Sequence, residues 1–391
     1  MKITVLTRYD FPYFGAAENL LRQLALGLDE HGAKVQIVRF SGDHHGRHND
    51  TPIPVYNYLT KKKISQPILR VFVFVLKWFL IPIFVLRCKF DFKSDVLVLY
   101  GFDSAFMLAP LIFWCKLFGL KGVRFITEVY PEQYYARKWY QRPKIWLRAY
   151  QNKWIDRHFD GLVVLTTALR DLLLRNKVPS EKIVLIPHFI NLNVKHGGIS
   201  NTSNRFRIGF CGTAIELNGI MDLVDALFLL PESIGQTELV IIGKKTPALQ
   251  RIVNNWKPNP LRMIFMTGKV KSTQKVHELL LECDVLVNPR KSGVSAETGF
   301  PTKVGEYFAA RRPVVTTRCG DLVTYLEDKK HVVFAEPNDP RSLADAITFL
   351  FEHKDEADLI AQNGYKWACR ELDYRTNSLK LLNWMQIRFG T

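Results

Sequence analysis

The sequence predicts an α/β protein of two domains, each built on a parallel β-sheet covered by helices. Three observations support this prediction. The 391 residues suffice for two hydrophobic cores. Short apolar strands alternate with amphipathic helices along most of the chain, a pattern typical of parallel sheets. A polar, glycine-rich stretch from Lys195 to Asn204 separates two such series. We therefore place one domain at residues 1–196, a second at 205–371, and a last helix at 372–391.

The first strand, Lys2 to Thr7, is followed by a loop of small residues and an amphipathic helix. Such a strand, loop and helix can hold an anion at the helix N-terminus. Gly15 and Ala16 open the helix, where they either allow close approach of a ligand to the backbone or merely ease helix packing. The absence of GxGxxG and GxxxxGK[ST] motifs argues against a dinucleotide oxidoreductase and a P-loop NTPase.

Further strands of the first domain are predicted where apolar runs recur. Two glutamates, Glu128 and Glu132, follow the strand that ends at Thr127. Ligands of open α/β sheets bind at the carboxyl ends of strands, so either glutamate is a candidate general base. A surface role is the alternative. The other strands are Lys34–Arg39, Asp95–Tyr100, Gly122–Thr127, Gly161–Thr166 and Ile183–Pro187.

The segment from Lys61 to Lys93 combines basic residues with long apolar runs. It could span a bilayer by length, but its internal charges and the disruption of the surrounding sheet argue against that. Lys63, Arg70 and Lys77 recur every seven residues and form one basic stripe on a helix. We expect this helix to lie at an anionic membrane surface, the alternative being a core helix of the first domain.

The charge of the chain is uneven. Of the formal net charge of +17, residues 1–200 carry +14 and residues 201–391 carry +3. A basic half suits nucleic acid, an anionic membrane or an acidic substrate, although aromatic residues confined to apolar runs argue against nucleic acid. Six scattered cysteines and no apolar leader segment indicate a cytoplasmic protein with reduced thiols. No set of residues has metal-ligand spacing, so we expect no metal.

The second domain repeats the strand-helix pattern and contains the segment of most chemical interest, Ser292 to Thr317. A glycine-rich stretch there leads into a helix near Pro301, and a helix N-terminus favours an anion. Lys303 adds a positive charge in the first turn, which suits a phosphate. Glu306, on the same helix face, can accept two hydrogen bonds from a ribose diol. A capped helix with a solvated lysine and glutamate is the alternative reading of either residue alone. The strands are Arg205–Gly212, Glu238–Gly243, Arg262–Gly268, Asp284–Pro289 and Val314–Thr317.

The segment TGFPTKVGEYFAARRPVV resembles the signature of the GT-B retaining glycosyltransferases of family 4, in the bacterial subset that reads GFPTKxxEYxAxxxPVV. The resemblance extends over nearly the whole chain. It implies two Rossmann-like domains facing a cleft, a last helix that crosses back to the first domain, and a nucleotide diphosphate sugar bound by the second domain. It also implies metal-independent chemistry without a cofactor.

The resemblance implies a set of donor-binding residues, with two departures from the family. The first of two family glutamates corresponds to Thr298, so the sugar would contact Glu297, Thr298 or backbone amides. A phosphate-binding lysine is missing from the loop after Gly212 and Thr213, where Glu216 to Asn218 stand instead. Its possible replacements are Lys303, Lys269 and Arg290. The expected donor-binding residues are Gly212, Thr213, Lys269, Arg290, Glu297, Thr298, Gly299, Phe300, Lys303 and Glu306.

The implied function is retaining transfer of a sugar to a lipid-linked or oligosaccharide acceptor of a bacterial surface polysaccharide pathway. Catalysis is expected to involve Lys303, with Glu128 or Glu132 as a base, and acceptor binding to involve Gly15 and Ala16. The enzyme would act as a peripheral protein at the inner face of the cell membrane and would not bind nucleic acid. The alternatives are a GT-B nucleotide-sugar 2-epimerase and a catalytically inactive nucleotide-sugar-binding homologue.

Overall fold

The computed structural model describes residues 1–9, 15–39, 52–57, 79–102, 105–129, 154–194, 204–244, 246–247, 249–250, 259–270 and 272–390. The chain forms two compact units. The first comprises Met1–Phe189 together with Tyr374–Thr391, and the second comprises Ile190–Asp373. In the described ranges no helix combines the length and apolarity needed to cross a bilayer.

The first unit contains a seven-stranded parallel sheet of order β3-β2-β1-β4-β5-β6-β7. Its central strands are buried on both faces, which explains why they read as continuous apolar runs. The strands are β1 (Lys2–Thr7), β2 (Lys34–Arg39), β3 (Val55–Asn57), β4 (Val96–Tyr100), β5 (Lys121–Ile126), β6 (Gly161–Val164) and β7 (Ile183–Leu185).

Helices cover this sheet. They are α1 (Ala16–Glu30), α2 (residues 79–86, continued by the π-helical turn Arg87–Asp91), α3 (Ala105–Leu117) and α4 (Thr167–Arg175). Thr166 caps α4 by accepting the N–H of Leu169 at 3.3 Å, which explains why the helix begins there. The last helix of the chain also belongs to this unit.

The second unit contains a six-stranded parallel sheet of order β10-β9-β8-β11-β12-β13. Its core packs around β8, β9 and β11. The strands are β8 (Phe206–Cys211), β9 (Thr237–Ile242), β10 (Arg262–Gly268), β11 (Val285–Asn288), β12 (Val314–Thr317) and β13 (Val333–Ala335). The helices of this unit are α5 (Ile220–Leu229), α6 (Thr273–Leu281), α7 (Val294–Thr298), α8 (Thr302–Ala309), α9 (Leu322–Tyr325), α10 (Pro340–Glu352) and α11 (Lys354–Glu371).

The chain then returns to the first unit as α12 (Tyr374–Phe389). Tyr374 donates its hydroxyl hydrogen to Glu30 Oε1 at 2.7 Å, and Asn377 donates to the His188 carbonyl oxygen at 2.7 Å. Gly27 of α1 permits this packing, because a Cβ there would lie 2.3 Å from Ser378 Oγ. The helix therefore completes the core on the α1 side of the first unit.

The structure corrects several details of the predicted elements. The sequence reading missed β3 and β13, which are three residues long; β7 is equally short but was predicted from the longer apolar run Ile183–Pro187. The predicted loop from Ser292 to Thr298 contains the short helix α7, and Pro301 is the N-cap of α8 and not its first residue. All six cysteines are free thiols.

Candidate functional site

The predicted donor segment lies at the carboxyl ends of β8 and β11, where α8 begins. Tyr307 of α8 joins these strands: its hydroxyl oxygen accepts the Cys211 N–H at 2.8 Å and donates to the Val287 carbonyl oxygen at 3.3 Å. The Tyr307 side chain is fully buried. These bonds fix α8 above the sheet edge where ligands of parallel α/β sheets bind. The sequence analysis did not identify this anchor.

Lys303 lies in the first turn of α8 and is directed at the end of β8. Its Nζ is 4.3 Å from the centroid of the Phe210 ring. The pKa of Lys303 is lowered to about 7, chiefly by burial and also by the charge of Arg290, against the opposing effects of Cys211 and Glu306. Near neutral pH the amine is therefore close to its own pKa and only partly charged. A bound anion would restore the charge.

The backbone of the loop after β8 lies close to the Lys303 side chain. Gly212 has φ +134°, and a Cβ there would lie 2.6 Å from Lys303 Cε. Gly243, after β9, has φ +154°, and its Cβ would lie 2.1 Å from the Gly212 carbonyl oxygen. Only glycine fits both positions. The sequence analysis did not name Gly243 as a site residue, although it also follows a buried strand, as Gly212 does.

The loop closes at Gly219, immediately before α5. Gly219 has φ +67°, and a Cβ there would lie 1.6 Å from the Pro289 carbonyl oxygen. Asn218 donates its amide to the Thr213 carbonyl oxygen at 2.7 Å, and the Thr213 side chain is exposed. Lys291, another residue missed from the sequence, forms an ion pair with Asp222 at 3.4 Å. The β8–α5 loop is thus packed against the residues that follow β11.

Arg290 holds α7 in place. Its Nη2 donates to the Ser295 carbonyl oxygen at 2.7 Å and to Ser295 Oγ at 2.8 Å, while Nη1 donates to the Gly299 carbonyl oxygen at 3.3 Å. The arginine is also close enough to Lys303 to lower the pKa of its amine. Arg290 therefore positions the chain that leads into α8 and adds positive charge beside it.

The structure separates the sugar-binding candidates. Thr298 is buried, and its hydroxyl donates to the Val294 carbonyl oxygen at 2.7 Å within α7. Glu297 is exposed, and its Oε2 accepts the Gly320 N–H at 3.1 Å. Gly299 and Phe300 are buried and connect α7 to α8. Of the two side chains, Glu297 keeps a carboxylate at the surface, whereas the Thr298 hydroxyl is engaged within its own helix.

The remaining candidates of the second unit lie at different distances from Lys303. Glu306 is near enough to raise the pKa of the Lys303 amine, as expected for residues three apart on a helix. Lys269 follows β10, which is separated from β8 by β9. Since neighbouring strands are about 4.8 Å apart, this places the Lys269 backbone about 10 Å to the side of the Gly212 loop.

The candidates of the first unit lie at the carboxyl ends of its sheet. Glu128 is half-buried and follows β5, while Gly15 and Ala16 are exposed at the start of α1. Gly15 has φ −144°, so its backbone does not require glycine. The predicted residues outside the described ranges are Glu132, Lys63, Arg70 and Lys77. No cluster of three or more potential metal ligands occurs in the described ranges.

Two domain families match this chain, one in each half. Residues 15–188 match the glycosyl transferase 4-like domain, and residues 205–353 match the glycosyl transferases group 1 domain. Together the matches cover more than four-fifths of the sequence. The chain is a GT-B glycosyltransferase. No curated protein sequence matches this glycosyltransferase significantly.

Solved structures share its fold over almost the full length. The Anabaena protein HepE, in complex with UDP-glucose, aligns with a TM-score of 0.72 at 14% identity, covering 99% of this chain and 100% of HepE. Sucrose-phosphate synthase from Thermosynechococcus elongatus aligns with a TM-score of 0.76 at 16% identity, covering 100% and 99%. WaaG, a glycosyltransferase involved in lipopolysaccharide biosynthesis, aligns with a TM-score of 0.65 at 16% identity, covering 99% and 100%. The predicted fold of two Rossmann-like domains with parallel sheets is confirmed.

Proposed function

We propose that this glycosyltransferase moves a sugar, with retention of anomeric configuration, from a nucleotide diphosphate sugar to a lipid-linked saccharide of a bacterial surface polysaccharide. The main support is the arrangement around Lys303. Within the described residues its amine has no hydrogen-bond acceptor or ion-pair partner, yet it lies at the N-terminus of α8 beside the glycine loop. A diphosphate would supply the missing acceptors and negative charge.

In this proposal the second unit binds the donor. The diphosphate contacts Lys303 and the first-turn amides of α8, with the backbone of Gly212 alongside. Glu306 accepts the ribose hydroxyls, and the sugar contacts Glu297 or the amides of Gly299 and Phe300. Lys269 lies further along the same sheet edge, towards the nucleotide base, and Thr213 follows Gly212 in the loop. The identities of the structural relatives are low, but UDP-glucose in HepE supports a nucleotide sugar as the donor.

The transfer step breaks the bond between the anomeric carbon and the β-phosphate oxygen and forms a bond from that carbon to the acceptor oxygen. The bonding electrons leave with the diphosphate, so negative charge grows on the β-phosphate. Lys303 and the helix dipole are placed to stabilise that charge. The acceptor proton passes either to the departing phosphate oxygen or to a carboxylate of the first unit, for which Glu128 and Glu132 are the candidates.

The acceptor half of the proposal depends on the first unit. Gly15 and Ala16 are exposed at the start of α1, where backbone can approach a saccharide. The strong positive charge of this half of the chain suits a substrate that carries phosphate and is held at an anionic membrane. WaaG, which acts in lipopolysaccharide biosynthesis, supports a glycolipid pathway. We therefore propose a peripheral position at the inner face of the cell membrane.

Calorimetric titration with UDP, GDP and inorganic pyrophosphate tests the donor site. We expect Lys303→Met to weaken binding of the preferred nucleotide and of pyrophosphate about tenfold or more, because both lose a charged hydrogen bond. Glu306→Gln should weaken binding of the nucleotide but not of pyrophosphate, because pyrophosphate has no ribose. Lys366→Met, at an exposed position of the same unit, is the matched control. Unchanged nucleotide affinity in both site variants would contradict the assignment.

Mass spectrometry and anomeric NMR of reaction products test the reaction. A panel of nucleotide sugars, incubated with a lipid-linked saccharide extract, should yield one glycosylated lipid with the donor's anomeric configuration. Inverted product would contradict retention. Nucleotide binding without turnover across the panel would instead identify an inactive binding protein, and acceptor-independent change of the free nucleotide sugar would identify an epimerase.

A further inference from the structure

Two neighbouring helices of the first unit expose large apolar side chains on their outer faces. On α2 these are Phe79, Ile83 and Phe90, which are 68%, 48% and 64% exposed. On α3 they are Phe113 and Leu117, which are 60% and 59% exposed. Phe79 and Ile83, like Phe113 and Leu117, are four residues apart, which places each pair on one side of its helix, while Phe90 lies in the π-helical turn that continues α2. These five residues are called the apolar face below.

The inner sides of the same helices are packed in the core of the unit. Phe84 and Cys88 of α2 and Leu111 and Cys115 of α3 are buried in one hydrophobic cluster. Lys89 donates to the Gly119 carbonyl oxygen just beyond α3 at 3.2 Å, which holds the two helices together. Since α3 is apolar on its inner and outer sides, it has the composition of a buried helix while lying at the surface.

Positive charge surrounds the apolar face. Arg87 and Lys116 are exposed between its apolar members, and Lys93 follows α2 at an exposed position. Next to α3, burial lowers the pKa of His158, and the charges of Lys116, Lys182 and Arg157 lower it further. These cations are therefore crowded together. Asp91, the nearest exposed acid on α2, is 4.0 Å from Arg87.

We propose that the apolar face binds the surface of an anionic lipid bilayer, with Phe79, Ile83, Phe90, Phe113 and Leu117 in the acyl boundary and the surrounding cations among the head groups. Large apolar side chains beside lysine and arginine are the composition of interfacial helices. A second copy of the chain is a less suitable partner for the apolar face. Pairing two such faces would bring together the positive charges that surround each of them. This inference rests on the proposed function, in which the acceptor is lipid-linked. Binding of the apolar face would bring the protein to the bilayer that carries this acceptor.

Cosedimentation with vesicles tests this inference without using activity. The intact chain should bind vesicles containing phosphatidylglycerol more strongly than pure phosphatidylcholine vesicles, and less strongly at high salt. The double variant Phe113→Ser, Leu117→Ser should reduce binding to the anionic vesicles at least tenfold. Met263→Ser with Phe265→Ser is the matched control, since both are exposed apolar residues of the second unit. This control should bind as the parent protein does.

Three outcomes would overturn the inference: equal vesicle binding by the parent and the Phe113/Leu117 variant, equal binding to neutral and anionic vesicles, or a dimer in light scattering that the variant abolishes. Thermal unfolding of the variant, measured in parallel, should match the parent because the replaced side chains are exposed. If it does not, Ile83→Ser provides a second test on the other helix. Failure of nucleotide binding in the intact chain would contradict the proposed function while leaving the vesicle result standing.

Discussion

If Lys303 binds the diphosphate as proposed, it should make donor binding sensitive to pH. Its pKa is about 7, chiefly because burial disfavours the charged amine. A bound diphosphate favours the charged amine and therefore raises this pKa. Above pH 7 the empty protein has lost the proton that the complex retains, so binding must take up a proton. Below pH 7 the amine is already charged, and this contribution to affinity no longer changes.

We therefore expect affinity for UDP to fall between pH 7.5 and 9.5, by up to about tenfold per pH unit. Calorimetry at pH 8.5 in buffers of different ionisation enthalpy should show uptake of up to one proton. The same experiment with Lys303→Met should show a smaller uptake and a flatter pH profile. Proton release, or an identical profile in both proteins, would exclude the lysine as the linked group.

Gly219 is required by both its backbone angle and its surroundings. We expect Gly219→Ala to lower the free energy of unfolding of the second unit by at least 2 kcal/mol, since left-handed alanine alone costs about 1 kcal/mol and the Pro289 carbonyl oxygen must also move. Gly119→Ala, in the first unit, is the matched control: Gly119 ends α3 with φ +64° in a left-handed C-cap, and no atom lies within 4 Å of the new Cβ. Denaturant unfolding measures both. Equal losses would mean that the Pro289 contact is readily relieved.

At the scale of the element, α8 depends on one hydroxyl for its position. Tyr307→Phe leaves the Cys211 N–H and the Val287 carbonyl without the bonds that join β8 and β11 to the helix. We expect a loss of about 1 to 3 kcal/mol in the free energy of unfolding, with weaker UDP binding because Lys303 is carried by the same helix. Tyr365→Phe in α11 is the control, since the Tyr365 ring packs against Arg311. UDP affinity equal to that of the parent would show that α8 is held by packing alone.

At the scale of the whole molecule, the first unit is closed by the last helix of the chain. Alanine is a better helix former than glycine by about 1 kcal/mol, so local preference predicts that Gly27→Ala stabilises α1. The structure predicts the opposite sign, because the new Cβ would lie 2.3 Å from Ser378 Oγ and 2.9 Å from the Tyr374 carbonyl oxygen. We expect a lower Tm in differential scanning calorimetry. A higher Tm would show that α12 can shift outward at little cost.

The sequence alone determined the two-sheet α/β class and supplied the prediction of the donor segment. Both are carried by local patterns: alternating apolar strands and helices in one case, and the contiguous residues around Gly299, Lys303 and Glu306 in the other. The sequence also predicted the boundaries of long buried strands such as β1 and β8. Two three-residue strands, β3 and β13, were not predicted, whereas β7, of the same length, was predicted because it lies in a longer apolar run.

Only the tertiary structure decided what these residues experience. From the sequence, Lys303 is an ordinary cation. In the structure Phe210 and Gly212, which are distant in sequence, lie beside its side chain, and burial lowers its pKa. Thr298 reads as a possible sugar ligand until α7 forms and its hydroxyl bonds to Val294. In sequence the outer face of α3 is as apolar as its inner face, and only the structure shows that Phe113 and Leu117 are exposed. Burial, charge and hydrogen bonding depend on residues brought together by folding, and no local pattern encodes them.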